Sequence, residues 1–262
     1  FIPYKEVLDV YDRGLEVPDP VTLIWCDDNY GYIKRLSNEK EQKRSGGSGV
    51  YYHVSYWGRP HDYLWLATTS PALMYTEMKR AYEHGANRLW IVNVGDLKPA
   101  EYLTEYFIDL AWDIESERPG FMHLKKWMER EFGSELSGEL AAVMKEYYRL
   151  AAIRKPEFMG WSRVEESGYG RGGRTPVRDT EYNPEEGGEL HLRLKQYASL
   201  EERVAELGKQ IPERMHPAYF QLVEYPVRGA SLMNRKWLNA QLARHSARLG
   251  NELKARREAI KS

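Results

Sequence analysis

The sequence predicts an α/β region followed by an all-α region. Up to about Asp113, short apolar runs alternate with helical patterns, whereas from about Leu124 onward only helical patterns remain. Repeated strand-then-helix units favour a parallel sheet with helices outside it. Three strands are too few to close an eight-stranded barrel, so residues 1–113 are predicted to be the C-terminal part of a (β/α)8 barrel, about three βα units, or else a small open sheet. Residues 114–262 are predicted to form a helical bundle.

The strands and helices of the first region are predicted from their residue types and from the residues that begin and end each segment. The β-branched and aromatic runs "VTLIWC", "GVYYHVSYWG" and "NRLWIVNVGD" predict three strands. "YKEVLDVYDRG" predicts a helix that ends at Gly14. "SPALMYTEMKRAYEHG" has Ser at the N-cap, Pro in the first turn and Gly after the end, which is typical helix punctuation. A further helix is predicted for "EYLTEYFIDLAWD".

Apolar spacing predicts the helices of the second region. A helical stripe of core side chains is formed by Leu140, Val143, Met144, Tyr147 and Tyr148. "SLEE" at residues 199–202 has the form of a capping box and predicts a helix start. One face of the last helix is predicted to carry Leu238, Leu242, Leu249 and Leu253. The Gly-, Arg- and Pro-rich stretch near 160–188 predicts a long loop.

Composition excludes several classes of function. The net charge of −1 gives no basic field for nucleic acid, and no apolar run is long enough to span a bilayer. The lone Cys26 excludes an internal disulfide or a multi-cysteine metal site, and it is better interpreted as a buried strand cysteine than as a nucleophile. No charged-then-apolar leader opens the chain, and we expect its start to correspond to the middle of a domain.

Polar and aromatic side chains follow all three predicted strands. The strands end in "CDDN", "HVSYWGRPHD" and "NVGDLK". Parallel α/β folds place their sites at the carboxyl ends of the strands. The three ends therefore predict the walls of one cleft, with ordinary loop-capping residues as the alternative.

The residue types at these ends suit a sugar, because hydroxyls bind planar polar groups and sugar rings stack on aromatic side chains. In extended chain, residues two apart point the same way, which pairs Tyr4 with Glu6 and Asp27 with Asn29, while Asp28 points away and braces the loop. Glu6 and Asp27 could divide acid and base work on a glycosidic bond. The other candidates are His53, Tyr56, Trp57, Arg59, His61, Asp62, Asn93, Asp96 and Lys98.

Several of these candidates have second interpretations. Arg59 or Lys98 could pair with the carboxylate of an acidic sugar. Asp62 and Asp96 could equally brace loops, and His53 could be a satisfied buried histidine. A metal site built from His53, His61 and Asp62 matches ligand types but no strong spacing pattern, so no metal is expected.

Three long motifs closely resemble glycoside hydrolase family 115, the xylan α-1,2-glucuronidases. They are "PYKEVLDVYDRGLEVPDPVTLIWCDDNYGYIKRL", "GVYYHVSYWGRPHDYLWL" and "LWIVNVGDLKPAEY". "TPVRDTEYNP" and "FQLVEYPVRGASLMNRKWL" resemble the helical domain of that family, so the resemblance covers nearly the whole chain. It implies a (β/α)8 barrel followed by a helical bundle. It also implies inverting removal of glucuronic acid, or its 4-O-methyl ether, from xylan.

The resemblance also implies roles for individual residues. Glu6 matches a catalytic carboxylate and Asp27 a carboxylate of the sugar pocket. The substrate-binding residues implied in the same way are Tyr4, Asn29, His53, Tyr56 and Asn93. Inversion requires roughly 6.5 to 9.5 Å between the two reacting carboxyl groups, which leaves room for water. The resemblance does not assign which carboxylate is the acid and which is the base.

The upstream half of the family's barrel, with a second candidate catalytic carboxylate, has no counterpart in this chain. We therefore expect a fragment of a longer enzyme, with weak or no turnover by itself. The expected partners are glucuronoxylan or glucurono-xylooligosaccharides and, in the full-length enzyme, a second copy in a homodimer; nucleic acid, membrane and cofactors are not expected. A polymeric substrate implies secretion or a periplasmic location. The alternatives are a non-catalytic carbohydrate-binding module and a structural helical partner domain.

Overall fold

The computed structural model describes residues 1–59, 61–115, 120–161 and 177–262, and these form two compact units. The first unit comprises residues 1–56 and 69–127, and the second comprises residues 57–68 and 128–262. This division differs from the predicted boundary after Asp113. The segment 57–68 belongs to the second unit because its backbone and side chains bind residues there, as described below.

The first unit contains a three-stranded parallel sheet, and this part of the α/β prediction is confirmed. The strands are β1 (Leu23–Cys26), β2 (Ser48–His53) and β3 (Trp90–Asn93), in the order β1-β2-β3. Cys26 pairs with Tyr51 and His53 pairs with Asn93. This register places the carboxyl ends of all three strands at one edge of the sheet, where "CDDN", "HVSYWG" and "NVGDLK" begin.

Three helices in the first unit follow the predicted positions closely: α1 (Glu6–Asp12), α2 (Pro71–Glu83) and α3 (Glu101–Trp112). The first part of α4 (Phe121–Phe132) also belongs to this unit. Gly14 and Gly85 follow α1 and α2 with positive φ of 105° and 79°, as expected for helix ends. Ser70 precedes α2, but its side chain makes no cap hydrogen bond.

Apolar side chains from the strands and helices form the core of the first unit. Trp25 and Tyr52 are fully buried in the sheet, as are Met78 of α2 and Leu103 of α3. Tyr52 stacks on Phe107 of α3, with ring centroids 6.1 Å apart. Burial of each such side chain contributes about 1.5–3 kcal/mol to folding, which fixes the sheet from which the polar strand ends project.

The second unit is helical, as predicted. It contains α5 (Ser134–Ile153), α6 (Glu189–Gly208), α7 (His216–Tyr219), α8 (Tyr225–Arg248) and α9 (Glu252–Lys261), with a π-helical turn at Phe220–Glu224. The predicted stripe is buried on α5: Leu140, Val143, Met144, Tyr147 and Tyr148. None of the helices in the described ranges could span a membrane.

Two predicted helix boundaries are wrong. "SLEE" at 199–202 lies inside α6, because buried apolar residues continue at helical spacing on both sides of it, from Leu190 and Tyr197 to Val204 and Leu207. The predicted leucine face of the last helix divides at a turn after α8. Gly250 there has a φ of 75°, and Asn251 caps α9 by accepting the Lys254 N–H.

The four leucines of that face therefore have different environments. Leu238 and Leu242 are buried, whereas Leu249 and Leu253 are 67% and 75% exposed. The predicted loop near 160–188 lies partly outside the described residues. Its described ends form an antiparallel bridge between Trp161 and Val177.

Candidate functional site

The strand ends of the first unit bring together Tyr4, Lys5, Asp27, Asn29, His53 and Tyr56, which we call the strand-end cluster. The Tyr4 hydroxyl donates to Asn29 Oδ1 at 2.7 Å. The His53 ring lies 6.1 Å from the Tyr4 ring and 5.6 Å from the Tyr56 ring, between centroids. Four of the predicted sugar-binding residues are thus neighbours in the structure.

Asp27 and His53 form a buried pair within this cluster. Asp27 Oδ1 lies 2.5 Å from His53 Nδ1, and Asp27 Oδ2 accepts the Gly31 N–H at 2.8 Å. The Asp27 side chain is completely buried and that of His53 is 4% exposed. Burial raises the pKa of Asp27, while the hydrogen bond from His53 opposes the rise. Since both oxygens of Asp27 bind within the protein, the geometry fits a carboxylate that orients His53.

The loop after β1 has the backbone that this arrangement needs. Asn29 and Gly31 have positive φ of 72° and 94°. A Cβ at residue 31 would lie 2.7 Å from the Tyr52 hydroxyl, so only glycine fits there without a shift. Asp28 Oδ1 accepts the Tyr30 and Tyr32 N–H groups, which confirms that Asp28 braces the loop.

Lys5 belongs to the cluster although the sequence did not predict it. Its φ is 50°, and its Nζ donates to the Tyr56 hydroxyl at 2.7 Å. The same Nζ lies 5.2 Å and 5.3 Å from the centroids of the Tyr4 and Tyr56 rings. Burial, and then the hydrogen bond with Tyr56, raise the pKa of Tyr4, so its phenol remains a donor to Asn29.

Glu6 lies in a different environment from Asp27. It is the first residue of α1 and is exposed, and its carboxylate has no hydrogen-bond or ion-pair partner among the described residues. A reacting carboxylate must reach the substrate, and Glu6 meets that requirement better than Asp27 does. The assignment of catalytic roles to these two residues stays a prediction.

Asn93 is connected to the cluster through Tyr51. Asn93 Nδ2 donates to the Tyr51 hydroxyl at 2.8 Å, and the Tyr51 and His53 rings are 5.0 Å apart. Tyr51 was not among the site residues predicted from the sequence. Alternation along β2 was a usable signal, because it places Tyr51 on the same face as His53.

The segment 57–68 provides a second group of candidates, which pack within the second unit. Asp62 Oδ1 accepts the Gly58 N–H at 2.5 Å, so Asp62 braces its own loop. His61 stacks on Trp161 at 4.3 Å, and burial lowers its pKa. Arg59 lies in the same segment, and its proposed pairing with a sugar carboxylate stays a prediction.

The remaining candidates lie beyond β3 or concern other chemistry. Asp96 and Lys98 are exposed in the loop after β3. Burial raises the pKa of the Cys26 thiol to about 12, which favours the interpretation as a strand cysteine. Among residues in the described ranges, no three His, Cys, Asp or Glu side chains are grouped to hold a metal ion, so the three-ligand alternative has no support.

Comparisons with known proteins agree with the motifs. The model of glycosyl hydrolase family 115 matches residues 1–158. No curated protein matched the chain. One solved structure, a family 115 4-O-methyl-α-glucuronidase described as specific for decorated arabinogalactans, is 50% identical with a TM-score of 0.86. The alignment covers 98% of this chain but 33% of that one, so the chain spans about a third of the length of this relative. On this evidence the chain belongs to glycoside hydrolase family 115.

Proposed function

We propose that this chain is part of an inverting α-glucuronidase that releases glucuronic acid, or its 4-O-methyl ether, from glucuronoxylan side chains. The observation that carries the proposal is the strand-end cluster, in which Tyr4, Asn29, His53 and Tyr56 meet at the carboxyl ends of parallel strands. The likeness to an α-glucuronidase over 98% of the chain supports it.

The cluster has the chemistry that a sugar requires. Tyrosine rings offer faces for a pyranose ring, and amide and imidazole groups bind hydroxyls. When Asp27 is ionised, its contact with His53 Nδ1 keeps the proton on that nitrogen. His53 Nε2 is then an acceptor for a sugar hydroxyl, and Asp27 acts as a positioning residue.

Glu6 is the carboxylate that we propose to react. An inverting enzyme needs a second carboxyl group across the glycosidic bond, at roughly 6.5 to 9.5 Å. Because Asp27 is buried and both its oxygens are occupied, we propose that the second group comes from another part of a longer polypeptide. In this proposal the chain is the C-terminal part of a (β/α)8 barrel with its helical domain, from a secreted or periplasmic enzyme.

Substitution of Glu6 tests the assignment. In the full-length polypeptide, Glu6→Gln should lower the release of glucuronic acid from glucuronoxylan by about 10³-fold, since general acid–base groups contribute 10²- to 10⁴-fold. The exposed Glu39→Gln is the matched control and should retain activity. Unchanged release by the Glu6 variant would contradict the assignment.

The polymer is tested in the same assay. The relative described as specific for decorated arabinogalactans makes these polysaccharides the second substrate to compare. Faster release from arabinogalactan than from glucuronoxylan would support the α-glucuronidase activity but would replace xylan with arabinogalactan as the proposed substrate. Binding of either polymer without hydrolysis by the full-length wild type would favour a non-catalytic carbohydrate-binding module.

A further inference from the structure

We propose that the Lys5 ammonium binds the carboxylate of the uronic acid and selects acidic over neutral sugars. The inference rests on the proposed function and adds a specificity-determining residue to it. Lys5 lies in the motif "PYKEV", and its proposed role follows from its backbone conformation and its neighbours in the strand-end cluster.

Lys5 places a positive charge in the strand-end cluster. Lys5 Nζ has three donors, and it gives one to the Tyr56 hydroxyl at 2.7 Å. No carboxylate pairs with Lys5 anywhere in the described ranges, whereas Lys34 pairs with Asp28 and Lys79 with Glu115. The rings of Tyr4 and Tyr56 attract a cation but do not neutralise it. A positive charge therefore stands among sugar-binding side chains without an anion.

The backbone of Lys5 has an unusual conformation. Lys5 and Asn29 are the only non-glycine residues with positive φ among the described residues, and both belong to the cluster. Such conformations are costly for lysine and persist where the surroundings impose them, often at ligand clamps. In regular extended chain, Lys5 would point away from Tyr4 and Glu6. Its unusual φ and ψ of 50° and −119° break that alternation, and the ammonium reaches Tyr56.

The neighbouring groups leave the Lys5 ammonium available to a ligand. Asp27 is near the same residues, but its two oxygens are bound to His53 and to the Gly31 N–H, so it does not pair with the ammonium. Lys5 itself is exposed, so its remaining donors can reach a ligand. A uronate carboxylate at Lys5 would place the sugar ring beside Tyr4 and Tyr56.

The test compares glucuronic acid with its methyl ester, which has the same ring but no charge. Affinities of the full-length polypeptide for both sugars are measured by calorimetry for wild type, Lys5→Met and Lys5→Gly. Charge-assisted hydrogen bonds of this kind correspond to about 10- to 100-fold in affinity. We expect both variants to bind glucuronic acid that much more weakly and to bind the ester within about threefold of wild type.

The glycine variant separates the charge from the backbone. Glycine adopts a φ of 50° without strain, so Lys5→Gly should fold even if Lys5→Met does not. The exposed Lys40→Met controls for the loss of one positive charge and should retain the discrimination.

Each outcome has one meaning. Full discrimination in a folded Lys5→Gly protein would overturn the role of Lys5 and leave the proposed function intact. A parallel loss for acid and ester would show a structural role and would also overturn it. A wild type that binds and hydrolyses no glucuronide would overturn the proposed function, and the role of Lys5 with it.

Discussion

The two units place a cation of interest in opposite environments, one buried and one exposed. In the second unit, Arg193 is 3% exposed and each of its donating nitrogens has an acceptor: Nε donates to Asn234 Oδ1, Nη1 to the Leu150 carbonyl and Nη2 to the Arg154 carbonyl. In the first unit, Lys5 donates to one phenol and is exposed. Arg193 finds all its acceptors within the protein and therefore stabilises the packing of the helices. Lys5 has N–H donors that no protein group accepts among the described residues, so it is available to a ligand.

Carboxylates differ between the units as well. Asp27 has both oxygens bound and belongs to a cluster that reaches the surface. Glu157 of the second unit is buried, with Oε1 accepting the Leu66 N–H at 3.2 Å and Oε2 without a partner. Burial raises the pKa of Glu157 to about 7. Glu157 therefore binds the segment 57–68 within the second unit, and its contribution to the free energy of unfolding depends on whether its carboxyl group is ionised.

The largest expected effect on stability is in the second unit. Arg193→Met leaves the Leu150 and Arg154 carbonyls and the Asn234 side chain without their donor. Loss of such buried hydrogen bonds should lower the free energy of unfolding by about 3–5 kcal/mol. Chemical denaturation measures the loss. The control is Arg149→Met, which removes an exposed pair with Glu146 and should cost less than about 1 kcal/mol. Equal losses of unfolding free energy in the two variants would show that the buried hydrogen bonds of Arg193 stabilise the second unit no more than an exposed ion pair does.

Asp27→Asn should lower the rate of the reaction by changing the tautomer of His53. The amide can keep its oxygen on the Gly31 N–H, which turns its NH₂ group toward His53 Nδ1 and forces that nitrogen to become an acceptor. The wrong tautomer of His53 should lower kcat/KM of the full-length polypeptide by about 10²- to 10³-fold.

The tautomer is visible by nitrogen NMR of the histidine ring, which a purely structural role for Asp27 would not move. Wild type should show the proton on Nδ1 and the variant should show it on Nε2. Asp28→Asn is the control, because Asp28 accepts backbone N–H groups of its own loop and pairs with exposed Lys34. An unchanged tautomer together with unchanged activity would remove the positioning role.

The smallest expected effect depends on pH. A carboxyl group whose pKa is raised from 4.5 to about 7 on folding stabilises the protein fully below pH 4.5, and this contribution is lost as the pH rises through about 7. Glu157→Gln keeps an acceptor for Leu66 but does not ionise. Between pH 4.5 and 8, wild type should therefore lose up to about 3 kcal/mol of unfolding free energy relative to the variant.

Denaturation at several pH values measures that difference. Glu206→Gln, in an exposed pair with Lys209, should follow wild type across the range. A Glu157→Gln difference that stays flat from pH 4.5 to 8 would show that Glu157 is not the buried acid that the structure describes.

Sequence patterns predicted the sheet well because its elements are local. β1 to β3 and α1 to α3 are short segments with distinct periodicity and glycine or proline punctuation. The helix boundaries failed where local signals conflicted with packing. "SLEE" has the sequence of a helix start, but the helix α6 continues through it because side chains such as Tyr197 are buried at helical spacing on both sides.

The site was predicted in part for the same reason. Alternation and strand position predicted Tyr4, Asn29, His53 and Tyr56, which lie together. Lys5 was missed because its positive φ reverses the side-chain direction that alternation predicts. No residue pattern in "PYKEV" predicts that positive φ. The burial of Asp27 also depends on packing around β2 that a linear pattern does not show.

The segment 57–68 shows a further limit. It follows β2 directly, and its residues were predicted to extend the site. Its packing depends on residues far away in the chain: Glu157 binds the Leu66 N–H, Lys155 binds the Thr68 hydroxyl, and the Tyr225 hydroxyl donates to the Trp65 carbonyl. Contacts across about 90 to 160 positions leave no signal in a single sequence.

The central claim, that the strand-end cluster binds an acidic sugar, is tested most directly by a crystal structure of the full-length Glu6→Gln variant with glucuronic acid. The sugar ring should lie against Tyr4 and Tyr56, with its carboxylate about 3 Å from Lys5 Nζ. Glucuronic acid bound elsewhere, with His53 and Asn29 making no contact to it, would overturn this claim.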